Sequence, residues 1–123
     1  SSKLSRVNVL VVEDTWHVAK ALKSALEQLG MRVSGPAATV AEARRLVAAQ
    51  LPAVALVDVN LKGEMAYDLV DDLSARGVRV VIVSGYAQLQ ISQEKVAAVL
   101  QKPFSAAELL ATLHQVVGQG PPV

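Results

Sequence analysis

The chain has no cysteine, which excludes a disulfide framework and any thiolate metal site and is weak support for a reducing compartment. Its longest apolar stretches fall well short of the roughly 20 residues of a membrane span. No charged start followed by an apolar segment and a cleavage site opens it, so a cytoplasmic location is expected. Charge of one sign is also missing. The 12 basic and 11 acidic residues leave a formal net charge of +1 and are dispersed. No basic stripe suggests nucleic acid and no polybasic run suggests a membrane surface. Internal repeats and low-complexity linkers are absent too. At 123 residues and 13.0 kDa, one domain over 1–123 with a core at about 7–117 is expected. A chain of this length buries roughly two-thirds of its unfolded surface.

What is present is a set of four short apolar runs, each followed by a polar residue. Glu13 and Asp14 follow residues 7–12, Asp58 follows 54–57, Ser84 follows 80–83, and Lys102 lies just past 97–100. Such runs read as buried parallel strands, and an open parallel sheet carries its sites at the carboxyl edge. Three carboxylates, a hydroxyl and an ammonium are thereby expected along one edge.

The pattern alternates between β-branched runs and helical periodicity, the signature of a βαβ series. Strands are predicted at residues 7–12, 32–35, 53–57, 80–84 and 98–101, alternating with five helices. The first helix, about 15–29, carries Val18, Leu22, Ala25, Leu26 and Leu29 at helical spacing, with Gly30 as its stop. The second, about 40–49, and the last open with the capping-box pairs Thr39/Glu42 and Ser105/Glu108. The third is predicted over 64–76, burying Leu69, Val70 and Leu73 and ending at Gly77, and a short fourth falls between 87 and 95. Right-handed crossovers make the simplest arrangement a flavodoxin-like, doubly wound three-layer α/β sandwich with a five-stranded parallel sheet in the order 2-1-3-4-5.

Magnesium takes oxygen ligands, commonly one or two carboxylates with waters and phosphate oxygens. Glu13, Asp14 and Asp58 supply the carboxylates, and the Asn60 backbone carbonyl is placed to turn into the same cleft. Two ionised carboxylates about 5 Å apart repel by about 3 kcal/mol at an effective dielectric of 20, which a dication beside Lys102 would relieve. Asp58 is the candidate nucleophile, since a carboxylate can form an acyl phosphate. Ser84 offers a hydroxyl, Gly85 an unobstructed amide, and Lys102 a cation to the phosphoryl oxygens. No Ser/His/Asp arrangement competes, because His17 and His114 fall in helices without an evident partner. Taken singly, these residues read as a helix cap, a loop acid and a turn serine. Their joint placement at successive strand ends is what points to phosphoryl transfer.

At these residues the chain closely resembles the receiver domain of bacterial two-component response regulators, through VLVVED, LVDVNL, VIVSGY and VLQKPF. The resemblance covers residues 8–117. It implies Asp58 as phosphoacceptor, Asp14 as direct magnesium ligand, Glu13 as an acid acting through water, and Asn60 as a carbonyl ligand. Ser84 becomes the switch hydroxyl and Lys102 the phosphate-pairing lysine, and manganese is expected to substitute for magnesium. The implied donor is a phosphohistidine on a sensor histidine kinase or a histidine phosphotransfer protein.

The family's common Met-Pro-Gly after the phosphorylated Asp is here Leu61-Lys62-Gly63, so a looser loop is expected. The position three before the lysine, usually aromatic, is Val99, which removes the ring that ordinarily moves with the switch hydroxyl; Tyr86, two residues after Ser84, is either an aromatic near the site or a surface residue packing on the fourth helix. Output is expected through the fourth helix, fifth strand and last helix. Leu109 and Val116 are left off the sheet-facing stripe of Ala106, Leu110, Leu113 and Val117, which suits a homodimer seam. Trp16 is expected to be a partly exposed structural residue. Two alternatives are a pseudo-receiver binding module, favoured by Val99, and a magnesium-dependent phosphohydrolase, disfavoured because Asn60 stands where such enzymes commonly place a second acid.

Overall fold

The computed structural model describes residues 4–85 and 96–118. Five strands, β1 (Asn8–Val12), β2 (Arg32–Ala37), β3 (Val54–Asp58), β6 (Arg79–Ser84) and β7 (Ala98–Gln101), form one parallel sheet in the order β2-β1-β3-β6-β7. Two short strands, β4 (Asn60–Leu61) and β5 (Glu64–Met65), pair separately as an antiparallel hairpin. Setting these two aside, the sheet has the expected 2-1-3-4-5 order.

The described helices are α1 (Trp16–Gln28), α2 (Val40–Ala49), α3 (Tyr67–Ala75) and α4 (Ala106–Gly118). Alternation along each central strand feeds two cores, because successive side chains point to opposite faces. Leu10, Val12, Ala55, Val57, Val80 and Ile82 pack toward Ala43 and Val47 of α2 and Leu69, Val70 and Leu73 of α3. Val9, Val11, Val54, Leu56, Val81 and Val83 pack toward Leu22 and Leu26 of α1 and Leu109, Leu113 and Val116 of α4. Sheet and helices thus make the three layers. Each fully buried aliphatic side chain contributes roughly 1.5–3 kcal/mol.

Local chemistry sets the helix ends. Glu42 N–H donates to Thr39 Oγ1 at 3.1 Å, and Ser105 and Glu108 exchange hydrogen bonds of 3.2 and 3.1 Å, so both capping pairs form. Past the ends of α1 and α3, Met31 N–H reaches Leu26 O and Val78 N–H reaches Leu73 O, closing the carbonyls that a helix end leaves open.

Three expectations need correction or relocation. First, α3 starts at Tyr67, because Lys62 (φ 52°) and Gly63 (φ 91°) form a two-residue turn that draws residues 60–65 into the hairpin. Turns with both central residues at positive φ match strand twist, so the Leu61-Lys62-Gly63 segment takes the form of a hairpin turn. Second, Leu109 and Val116 are buried at 4% and 0% exposure, while Ala106 is exposed and Leu110 and Val117 are half-buried. Both apolar sets obey helical spacing, and the rotation that α4 adopts puts Leu109, Leu113 and Val116 into the core. No exposed seam is left at Leu109 and Val116. Third, Trp16 is 73% exposed, with Lys20 Nζ 4.9 Å from its ring centre. The fourth predicted helix and Tyr86 lie outside the described residues.

Candidate functional site

In-register pairing aligns the carboxyl ends of the three central strands: Val12 opposes Val57, and Asp58 opposes Val83. On the edge side Ser84 opposes Gln101. The residues that end or follow these strands, Glu13, Asp14, Asp58, Ser84 and Lys102, are brought to one edge as expected.

Glu13 is fixed by an irregularity in β2. Between Leu10 and Val12 the β1–β2 register shifts, and Glu13 N–H donates to Ala37 O at 2.9 Å. The shift turns on Gly35, at φ 98°, where a Cβ would lie 2.8 Å from Ala37 N and 2.9 Å from Val11 O. Only glycine fits both the backbone angle and the space.

Glu13, Asp14 and Asp58 each offer a carboxylate oxygen, and these oxygens lie within 4.8 Å of one another. Glu13 and Asp58 are buried, at 2% and 8% exposure, whereas Asp14 is half-exposed. Thr15 N–H donates to Glu13 Oε1 at 3.1 Å and Asn60 N–H donates to Asp58 Oδ1 at 3.0 Å. Lys102 Nζ spans the remaining oxygens, 3.0 Å from Asp58 Oδ2 and 3.2 Å from Glu13 Oε2. Burial raises the Glu13 carboxyl above its ordinary 4.5; the Thr15 N–H opposes this, the Asp58 charge adds to it, and Lys102 opposes it again. Burial alone would lower the Lys102 ammonium, but the Asp58 hydrogen bond and the Glu13 and Asp58 charges raise it above 10.5.

Ser84 is buried, and its carbonyl accepts Lys102 N–H at 2.8 Å, which ties the end of β6 to the residue carrying the cation. Gly85 is exposed, with nothing within 4 Å of where a side chain would begin, so its surroundings are open among the described residues. Val99, the aliphatic replacement on β7, is 39% exposed.

With one ammonium against three carboxylates, the cluster carries two excess negative charges when all are ionised. An all-oxygen, anionic donor set matches a hard divalent cation, so the residues present fit the expected metal. The sequence reading missed the β4–β5 hairpin, whose one local signal is the Lys62-Gly63 pair. It also missed the Thr15 and Asn60 amides that hold the two buried carboxylates.

Known proteins share the fold. The chain is 32% identical over 119 residues to the photosynthetic apparatus regulatory protein RegA of Cereibacter sphaeroides, covering 92% of this chain and 62% of that protein. It is 30% identical over 114 residues to the phyllosphere-induced regulator PhyR of Methylorubrum extorquens, covering 89% and 43%. The chain therefore spans less than two-thirds of the length of these curated relatives. Among solved structures, the PhyR response regulator receiver domain of Erythrobacter litoralis superposes with a TM-score of 0.85 at 26% identity, over 98% of this chain and 97% of that one. Among the described residues no helix is long and apolar enough to cross a membrane. The response regulator receiver domain model matches residues 9–114, a span that takes in the three carboxylates, Ser84 and Lys102, and the chain belongs to that family.

Proposed function

We propose that Asp58 accepts a phosphoryl group from a phosphohistidine on a sensor histidine kinase or histidine phosphotransfer protein, in a cytoplasmic signalling domain with its core at residues 7–117. The observation that carries this reading is the Lys102 ammonium set between Asp58 and Glu13 at the edge of the acid cluster.

Asp14, Asp58 and the Asn60 backbone carbonyl would hold magnesium directly, with manganese as a substitute and Glu13 acting through a water. When bound, the cation supplies positive charge against the crowded carboxylates and the incoming phosphoryl oxygens. Asp58 Oδ2 bonds to phosphorus as the phosphorus–nitrogen bond breaks, and the electron pair leaves with the imidazole. Lys102 exchanges a carboxylate oxygen for a phosphoryl oxygen, while the Ser84 hydroxyl and Gly85 amide donate to the others. That exchange pulls on the loop joining β7 to α4, and a population shift of this face toward a protein partner is the output. Val99 leaves that shift without its usual aromatic.

A protein donor is supported by an apolar groove of about 620 Å³ beside Lys102, lined by His17, Val18, Leu22, Phe104 and Leu109 among others. A signalling role in place of turnover is supported by Asn60, whose side-chain oxygen accepts Gly63 N–H at 2.7 Å and serves the turn.

The test is incubation with magnesium and acetyl phosphate, followed by intact mass. One added phosphoryl group, absent from Asp58→Asn and from metal-free samples, is the expected result. No adduct overturns the acceptor role in favour of a binding module, and steady phosphate release without an adduct overturns it in favour of a hydrolase.

A further inference from the structure

The β4–β5 hairpin begins two residues after Asp58 and is tied down at both ends. At its start Asn60 N–H holds Asp58 Oδ1 at 3.0 Å, and Asn60 Oδ1 takes Gly63 N–H at 2.7 Å across the turn. Leu61 is buried in the α2–α3 core, and Ala66 N–H returns to Val59 O at 2.9 Å. On its second strand Glu64, an exposed residue, extends its carboxylate to the first amide of α2, accepting Val40 N–H at 3.2 Å. That amide is one of the donors a helix leaves unused at its start, and an anion there is also favoured by the helix dipole. Thr39 and Glu42 serve other amides of the same end, so α2 has a cap of its own. Glu64 adds a link between elements: the chain that leaves Asp58 is pinned to a helix packed on the neighbouring strands β1 and β2.

We infer that Glu64 is a positioning residue for the chemistry at Asp58. Through Val40 it holds the hairpin in register, and so holds the Asn60 backbone that contacts Asp58 and stands beside the cation site. This inference rests on the phosphoacceptor reading above. Groups that orient metal ligands from outside the coordination sphere commonly affect affinity by about 10- to 100-fold. The Glu64 link is exposed and acts through the backbone, so the lower end applies.

The test measures the rate of phosphorylation by acetyl phosphate against magnesium concentration, together with melting temperature, in the whole chain. Glu64→Ala is expected to raise the half-saturating magnesium concentration roughly tenfold. Glu64→Gln, which keeps an oxygen for Val40 N–H, is expected to return it to within about threefold of wild type. Thr39→Ala weakens the same helix end without touching the hairpin, and should lower the melting temperature with little change in magnesium dependence. Unchanged magnesium dependence in Glu64→Ala, or an equal change in Thr39→Ala, overturns the positioning role while leaving Asp58 as acceptor. A wild-type chain that takes no phosphoryl group at any magnesium concentration overturns the acceptor reading and this role with it.

Discussion

Lys102 Nζ lies 3.0 Å from Asp58 Oδ2, joining residues 44 apart in the sequence, and its own side chain is 31% exposed against 10% for Asp58. A pair this sheltered is screened less than a surface ion pair, and removing one partner leaves the other charge poorly solvated. Lys102→Met is therefore expected to destabilise the metal-free protein by roughly 1–3 kcal/mol. Urea unfolding measures this. Added magnesium should recover much of the loss, because a dication replaces the missing positive charge.

The two raised pKa values act in separate pH windows. For Glu13 the folded protein favours the protonated form, so this stabilising contribution is full below about pH 4.5 and is lost as pH rises through the folded value. Glu13→Gln should then melt above wild type at pH 7 in metal-free buffer, with the gap closing as pH falls through the raised folded value toward 4.5. For Lys102 the contribution is full below about 10.5 and is lost as pH rises through the still higher folded value. Wild type should lose stability more steeply than Lys102→Met in that alkaline range. Melting curves of the three chains across pH decide both points.

Gly35→Ala places a Cβ against two backbone atoms, 2.8 and 2.9 Å away, at a φ of 98°. Neither neighbour is the end of a flexible side chain that can swing aside. A loss of roughly 2 kcal/mol or more is expected, measured by denaturant unfolding. Because the Glu13 amide bonds to Ala37 across this bulge, magnesium should also stabilise the variant less than wild type.

Leu109→Ala should behave as a core truncation. Leu109 is 4% exposed in the same cluster as Leu113 and Val116, and the expected cost is about 2–4 kcal/mol. Unfolding curves test the energy. Sedimentation of the folded variant tests whether its association state matches wild type, as a core position requires; a specific loss of a dimer would restore the seam.

The sheet order and the converging acids were legible because both follow from local signals: apolar runs of strand length and the residue that ends each one. Boundaries read from caps held closely, as at α2, which spans Val40–Ala49 as predicted. The rotation of α4 was not legible, since Leu109/Leu113/Val116 and Leu110/Leu113/Val117 satisfy the same periodicity and only tertiary packing selects one set. The hairpin was hidden for a different reason. Its strands are two residues each, too short for an alternating pattern, and its existence depends on the backbone angles of Lys62 and Gly63. Glu64 consequently looked like the start of a helix, and its contact with Val40 spans 24 residues. The amides on Glu13 and Asp58 were invisible in a reading based on side-chain types alone.

Lys102 meets Glu13 across 89 residues of sequence, and the strand that delivers it, β7, is the last to join the sheet in chain order. Contacts between such distant segments form only after the intervening chain has closed its loops. During synthesis, the acids at positions 13, 14 and 58 emerge well before their counter-cation. A nascent or C-terminally shortened chain would thus carry the three acids without Lys102, and their ion pairing would arrive only with closure of the sheet's final edge.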